Sequence, residues 1–555
     1  MTRPETTTVV EQAVPPKKPA KGPSLAKASG SMAIATLVSR ITGLLAKMMI
    51  AWVITLGGIS SAYTVANTLP TMVNELLLGG VLTSIAVPLL VRSQKDDPDG
   101  GESYTQWMIT MSTVVLVIGT VLAVIAAPLL TSLQLDADTK VSPELTTAFA
   151  YLILPSILFY GLSALLGAVL NARQVFGAPQ WAPVLNNVVV ILTLLVYTVT
   201  PGEISLDPVR MGEPKLLVLG IGTALGIVVQ AVVMLPPLLR TGFRFRWRWG
   251  WDRRLSEFGG MAVWVLLYVI VGQVGVVMVT NVASQGSENT IITYNYAWLL
   301  LQVPYGVLGV SLLTALLPRM SRASAEGNTA EVVADLSLGN RMSAVLLMPV
   351  SALMTVAGPA IAIAFFSLGN SSVSDAQQLG TALGLSAFGL VPYAMTMLQL
   401  RVFYAMKDSR TPTIINAMMV VVKVAASYFF LAVSIDEPEK LVVGVAIANS
   451  LSFVAGAVIG QVWLRFRLGR LGTGRTLWTL SLSIVASVIG CLVATTLSRL
   501  AVNAFAADSP VGAAWIQLVI DGVVVLAVSF GALAMFRAPE LRPAVNKISG
   551  LLRRR

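Results

Sequence analysis

The sequence predicts an all-α, polytopic membrane protein of about fourteen transmembrane helices, built as two pseudo-symmetric six-helix lobes plus two extra C-terminal helices. Three observations predict it. Hydrophobic residues make up 55% of the 555 and charged residues only 12%, with a mean hydropathy of +0.78, whereas soluble domains carry roughly 25% charged residues. Apolar runs long enough to cross a bilayer recur along the chain. A set of landmarks also repeats about 230 residues apart.

In chain order, residues 1–30 are polar, with Pro15-Pro16-Lys17-Lys18, and read as a disordered cytosolic tail without the apolar centre of a signal peptide. Apolar runs follow near 31–57, 61–92, 105–133, 145–171, 178–200, 215–239 and 256–283, then near 289–318, 342–367, 377–404, 412–434, 440–464, 476–498 and 511–536. With a cytosolic N-terminus, the outer loops hold only Lys140, Arg210, Lys215, Lys440 and Arg499. Arg40, Lys47 and Lys423 fall inside spans, and the rest of the 38 lysines and arginines are counted on the cytosolic side. That is the positive-inside pattern, and it puts both termini in the cytosol, the basic tail 537–555 included.

The net charge of +11 does not imply a nucleic-acid partner. Its densest stretch, Arg240 to Arg254, alternates arginine with aromatics in the linker 241–255. Between two spans it reads as an interfacial anchor, with rings at headgroup level and arginines on anionic phospholipids. With no histidine, and Cys491 as the one cysteine, histidine relays, disulfides and Cys/His zinc sites are excluded. The longest outer loop, 201–214, has Glu203, Asp207 and Glu213 but no histidine, so no enzyme is expected.

The second run is the most interrupted. Pro70, Gly79 and Gly80 break it, while Asn67, Asn74 and Glu75 are polar where hydrocarbon should surround them. Proline removes a helical N–H and paired glycines allow close backbone approach, so the run reads as a broken helix beside a watery pathway. Glu75 costs roughly 2.5 kcal/mol or more near the bilayer centre and should face a partner. Gly79, Pro88 and Arg92 recur as Gly309, Pro318 and Arg322; Ala172 and Pro179 recur as Ala405 and Pro412. Two lobes, 31–240 and 256–467, follow, with 468–536 outside the repeat. An even number of spans per lobe makes the repeat parallel, with substrate between the lobes near the midplane.

In the first span Arg40, Gly43 and Lys47 share one helical face. Two cations there need anions. Glu75 is expected within pairing distance of Arg40, directly or through water, as a latch that substrate would release. The bland alternative is that both cations snorkel. Gln273, Asn295 and Gln302 are further cavity candidates, each equally suited to a helix–helix hydrogen bond. Pro304, Gly306 and Gly309 mark a second break. Lys423 and Asp521 stand nearly alone in their spans, either as a pair or in a lipid-facing groove.

Ser39-Arg40-Ile41-Thr42-Gly43, Ala66 to Pro70, Gly80 to Pro88, Val303 to Val310, and Phe403-Tyr404-Ala405 with Arg410-Thr411-Pro412 resemble the MurJ/MviN family, within the multidrug/oligosaccharidyl-lipid/polysaccharide exporter superfamily. The resemblance covers roughly residues 30–540. It implies a multi-pass flippase of the bacterial cytoplasmic membrane, moving lipid II to the outer leaflet through a V-shaped cationic cavity by alternating access. The two extra helices would form a groove for the lipid tail. It also implies a monomer without cofactor or metal, with cell-wall synthesis proteins as partners. No acidic pair marks a coupling ion, so membrane potential is the expected drive. The sequence departs from the family at Ala46 (with Lys47 one place later), Asn74-Glu75, Leu299, Gln302 and Ser61, where family members carry charges. That leaves another polyprenyl-linked glycan, or drugs and cations, as the alternative cargo.

Overall fold

The computed structural model describes residues 25–79, 87–206, 208–250, 259–505, 509–536 and 540, and the elements among them are helical. The N-terminal half comprises α1 (Leu25–Ile54), α2 (Gly58–Asn74), α3 (Val87–Asp96), α4 (Glu102–Ile125), α5 (Ala127–Gln134), α6 (Pro143–Ile153), α7 (Ser156–Ala172), α8 (Gly177–Val199), α9 (Pro214–Val232) and α10 (Leu235–Arg240). The C-terminal half comprises α11 (Gly259–Ser284), α12 (Thr290–Pro304), α13 (Val310–Ala325), α14 (Thr329–Phe366), α15 (Val373–Ser386), α16 (Leu390–Ala405), α17 (Arg410–Val433) and α18 (Leu441–Leu468). Two more, α19 (Thr473–Phe505) and α20 (Pro510–Met535), pack along α14. Apolar side chains of α1–α9 form one core, and two further cores draw on residues between Ala51 and Leu471, mostly from α11–α18.

Among the described residues 12 helices are long and apolar enough to span a membrane, or 13 if α6 and α7, which meet at 46°, form one bent span. Each answers to an expected run. The remaining one, 61–92, appears as α2, a π-helical turn at Glu75–Gly79 and α3, with Gly80 and its neighbours to residue 86 outside the described residues. Fourteen is therefore not reached among them. Pro70 does not break the helix as expected, because α2 runs through it to Asn74. A proline costs one N–H, which a buried, packed helix tolerates; the discontinuity comes at the π-turn, where i→i+5 bonding widens the spiral. The other end of the chain needs a correction too. α1 begins at Leu25, inside the expected tail, where Leu25-Ala26-Lys27-Ala28 are good helix formers.

The repeat is legible in the backbone. A second π-turn spans Tyr305–Gly309, and Glu75 and Gly79 correspond to its two ends at an offset of 230. Helices α7 and α16 end at Ala172 and Ala405, and both continue into the same Schellman turn. Gln174 and Lys407 adopt left-handed φ of 60° and 59°. Val175 N donates to Leu170 O and Asp408 N to Phe403 O, each at 2.9 Å.

The two halves are joined by hydrogen bonds at one end of the molecule. The last four carbonyls of any helix lack internal donors. At the end of α1 three of them are met from the opposite half: Ser371 Oγ donates to Ala51 O (2.6 Å), which also accepts from Thr55 N (3.1 Å), Asn370 N to Trp52 O (2.8 Å) and Asn370 Nδ2 to Val53 O (2.8 Å). Trp52 Nε1 donates back to Phe365 O at 2.7 Å. Gly369 makes the approach possible. Its φ is +70°, and a Cβ there would strike Trp52 O. Ser61 Oγ to Glu288 O (2.5 Å) and Thr139 Oγ1 to Ser284 O (3.0 Å) complete the closure. Asp136 N to Ser284 Oγ (2.9 Å) and Lys140 N to Ser284 O (3.4 Å) lie at the same end, and two more hydrogen bonds between the halves lie midway along the molecule, at Lys47 and Glu75.

Candidate functional site: a central cavity between the two halves

The face predicted on α1 becomes the wall of a cavity of about 360 Å³. Arg40, Gly43 and Lys47 line it together with Asn67 of α2 and Gln302 of α12, so both halves contribute. Arg40 is exposed and Lys47 half-buried. Lys47 also anchors α1 to α12, because Tyr296 donates its hydroxyl to the Lys47 carbonyl at 3.0 Å. Lys47 is seven residues beyond Arg40 toward the closed end, about 10 Å at 1.5 Å per residue.

Neither cation has a carboxylate within ion-pairing distance among the described residues. The expected Arg40–Glu75 pair is therefore absent. Glu75, the first residue of its π-turn, accepts instead from Gln273 Nε2 of α11 at 2.7 Å. The neutral amide of the other half reaches the carboxylate first, while Arg40 points elsewhere. Its guanidinium lies against Gly306 in the second π-turn, where any Cβ would collide with Nη1. The first helix of each half thus lays a polar side chain on the π-turn of the other.

The remaining candidates divide. Asn74 Oδ1 is buried without a hydrogen-bond partner among the described residues, and Asn295 Nδ2 donates to Ile291 O within its own helix (2.9 Å). Neither lines the cavity. Pro304 ends α12 just before the second π-turn, and the buried Gly309 ends that turn beneath the Tyr305 ring. Lys423 and Asp521 do not pair: the Lys423 ammonium sits 6.0 Å from the Tyr294 ring centroid, while Asp521 is fully buried in α20.

Sequence reasoning found Asn67 and Gln302 but missed the rest of the neutral polar lining. Asn187 Nδ2 donates to Ser39 O (2.9 Å) and Thr42 Oγ1 (3.0 Å), fixing α8 on α1. Tyr63 and Thr223 share a buried hydroxyl–hydroxyl bond of 2.9 Å. Adjacent asparagines at 186 and 187 inside an apolar run were the available signal. A separate apolar groove of about 630 Å³ runs between α14, α16 and α19, lined by residues such as Met348, Phe388, Met395 and Cys491. Lys423 and Asp521 lie outside it. The basic linker is strapped to α4: Gln106 Nε2 donates to Arg244 O (2.8 Å) and Trp107 Nε1 to Gly250 O (2.5 Å), while 251–255 fall outside the described residues.

Comparison with known proteins agrees with this arrangement. The chain is 26% identical to the Lipid II flippase MurJ of Burkholderia cenocepacia over 462 residues, covering 80% of this chain and 86% of that one. A solved structure described as "Lipid II flippase MurJ, inward closed conformation" superposes with a TM-score of 0.71 at 18% identity, over 92% of this chain and 99% of that one. An inward-facing multidrug-resistance MATE transporter of the MOP superfamily gives 0.63 at 17%, over 80% and 99%. At such identities the structural likenesses speak for the fold alone. The profile described as Lipid II flippase MurJ matches residues 50–511, most of the chain, and on that match the protein belongs to the MurJ family.

Proposed function

We propose that the protein is a lipid II flippase, moving the undecaprenyl-pyrophosphate-linked peptidoglycan precursor from the cytosolic to the outer leaflet by alternating access. The observation that carries it is the pair Arg40 and Lys47, lining a cavity between the halves without a carboxylate to neutralise them. Such a cavity suits a pyrophosphate and disfavours a cation. In this reading 31–240 and 256–467 are two lobes related by an axis along the membrane normal, and both termini are cytosolic. The hydrogen-bonded end around Trp52 and Asn370 faces outward and is shut. The polyprenyl tail, which cannot share a charged cavity, lies in the apolar groove against α19. The linker arginines rest on anionic phospholipids, the chain works as a monomer, and cell-wall synthesis proteins consume its product.

Membrane potential supplies the drive: moving one charge through 100 mV is worth about 2.3 kcal/mol. The test is transport of labelled lipid II across proteoliposomes carrying an imposed potential. Flipping that needs the protein and responds to the potential is the expected result, and Arg40→Ala should abolish it. Transport of organic cations with lipid II left in place would favour the exporter reading instead.

A further inference from the structure

The basic-aromatic linker is a shaped surface. Residues 243–250 carry no helix, and successive side chains from 243 to 248 turn to opposite sides, as in a strand. Arg244, Arg246 and Arg248 line a cavity of about 590 Å³ together with Asp99 and Glu102 at the start of α4. Phe243, Phe245 and Trp247 line an apolar groove of about 420 Å³, walled by residues such as Leu162 of α7 and Leu235 of α10. The Phe245 and Trp247 rings meet edge-on, 5.3 Å apart. Trp247 borders both spaces, so cavity and groove adjoin at its ring.

The surface is held in place from two sides. Besides the bonds from Gln106 and Trp107, Arg248 N donates to Thr110 Oγ1 (3.2 Å) and Arg248 Nη1 to the Ser103 hydroxyl. Arg173, at the end of α7, donates to Thr241 Oγ1 (3.0 Å) and lies 5.0 Å from the Phe243 ring centroid. Among the described residues, none of the three guanidiniums is within ion-pairing distance of Asp99 or Glu102. Asp99 accepts from Gly101 N (3.0 Å) and Ser103 N (2.8 Å), while Glu102 accepts at 3.4 Å from Gln106 Nε2. Charges of both signs therefore face one cavity without neutralising each other.

We propose that cavity and groove together seat one phospholipid with a zwitterionic ethanolamine headgroup. Its phosphate meets the linker arginines, its ammonium turns to Glu102 and Asp99, and an acyl chain passes Trp247 into the groove. Guanidiniums take phosphate through paired N–H donors, and a tryptophan suits the border between headgroup and hydrocarbon. Charge complementarity chooses the headgroup: phosphate alone faces two carboxylates that repel it, whereas an attached ammonium answers them. The seat goes beyond the flippase reading, because its lipid is not cargo. It departs from the anionic-anchor reading at Arg244, Arg246 and Arg248 only. Because the linker joins α10 to α11, the bound lipid fastens the segment between the halves to α4.

The experiment titrates the purified full chain in detergent with phosphatidylethanolamine or phosphatidylglycerol of matched acyl chains, counting bound lipid by native mass spectrometry. The expected result is one tight site that prefers phosphatidylethanolamine several-fold. Arg246 makes none of the bonds that hold the linker, so Arg246→Gln should leave the melting temperature unchanged and weaken phosphatidylethanolamine about tenfold. Glu102→Gln should erase the preference, and Leu235→Trp, which fills the groove, should weaken both lipids. Tighter binding of phosphatidylglycerol by the wild-type chain would overturn the seat and keep the arginines on anionic lipid. Unchanged binding in Arg246→Gln would overturn it as well. Displacement of phosphatidylethanolamine from this site by lipid II would make it a cargo site and reject the proposal, with the flippase reading left standing.

Discussion

Arg40 reaches the opposite half only because residue 306 has no side chain. Gly306→Ala should push the guanidinium off the π-turn and cut flipping at least tenfold. In a double-mutant cycle with Arg40→Ala read on unfolding stability, the coupling should be about 0.5–3 kcal/mol, as for residues in contact; an additive result would mean that Gly306 acts on the backbone alone. Glu75 makes a sharper case. Glu75→Gln keeps a hydrogen-bonding partner for Gln273 and should flip within a few-fold of wild type. Gln273→Leu removes the amide that donates to the Glu75 carboxylate and should slow flipping more than Glu75→Gln does, read as flipping rate beside melting temperature. The cation face of α1 was legible from spacing alone, since helical period fixes which residues share a wall. The partner of Glu75 was not. Proximity in sequence favoured Arg40, whereas Gln273 is brought close only by tertiary packing.

Among the elements, the turn between α16 and α17 makes its own ion pair. Partial burial works to raise the Asp408 carboxyl, but the Thr411 N–H and hydroxyl together with Arg467 outweigh it and hold Asp408 below its ordinary value. A carboxyl lowered by folding stabilises above its unfolded value and loses that contribution as pH falls through the folded one. The melting temperature should therefore hold near neutral pH and drop only in the acid range, and Asp408→Asn should flatten that drop. The paired Schellman turns were foreshadowed by Ala172/Pro179 and Ala405/Pro412, because a helix stop followed by proline is written locally. The π-turns were not, since i→i+5 bonding has no residue signature beyond the nearby glycine. Pro70 misled for the opposite reason: its local rule is real, and burial overrode it.

Across the whole molecule, opening the hydrogen-bonded end means exposing the final carbonyls of α1 to water. Each such bond is worth about 1 kcal/mol net, so the closure is shallow enough to reverse during a transport cycle. Gly369→Ala combines strain at positive φ with a collision at Trp52 O. It should shift the population toward a form open at this end, seen as longer distances between spin labels on the 55–57 and 367–372 loops. Composition and periodicity carried the architecture, and charge asymmetry its expected orientation. The closure itself was invisible, because three of its acceptors are backbone atoms of Ala51, Trp52 and Val53. The same fact has a genetic consequence. A carbonyl survives every side-chain replacement, so half of this gate cannot be deleted by a missense change. An alanine scan down α1 would remove a gate hydrogen bond only at Trp52, and selection acting on the gate must work through the side-chain donors at Trp52, Ser61, Thr139, Asn370 and Ser371 and the room left at Gly369.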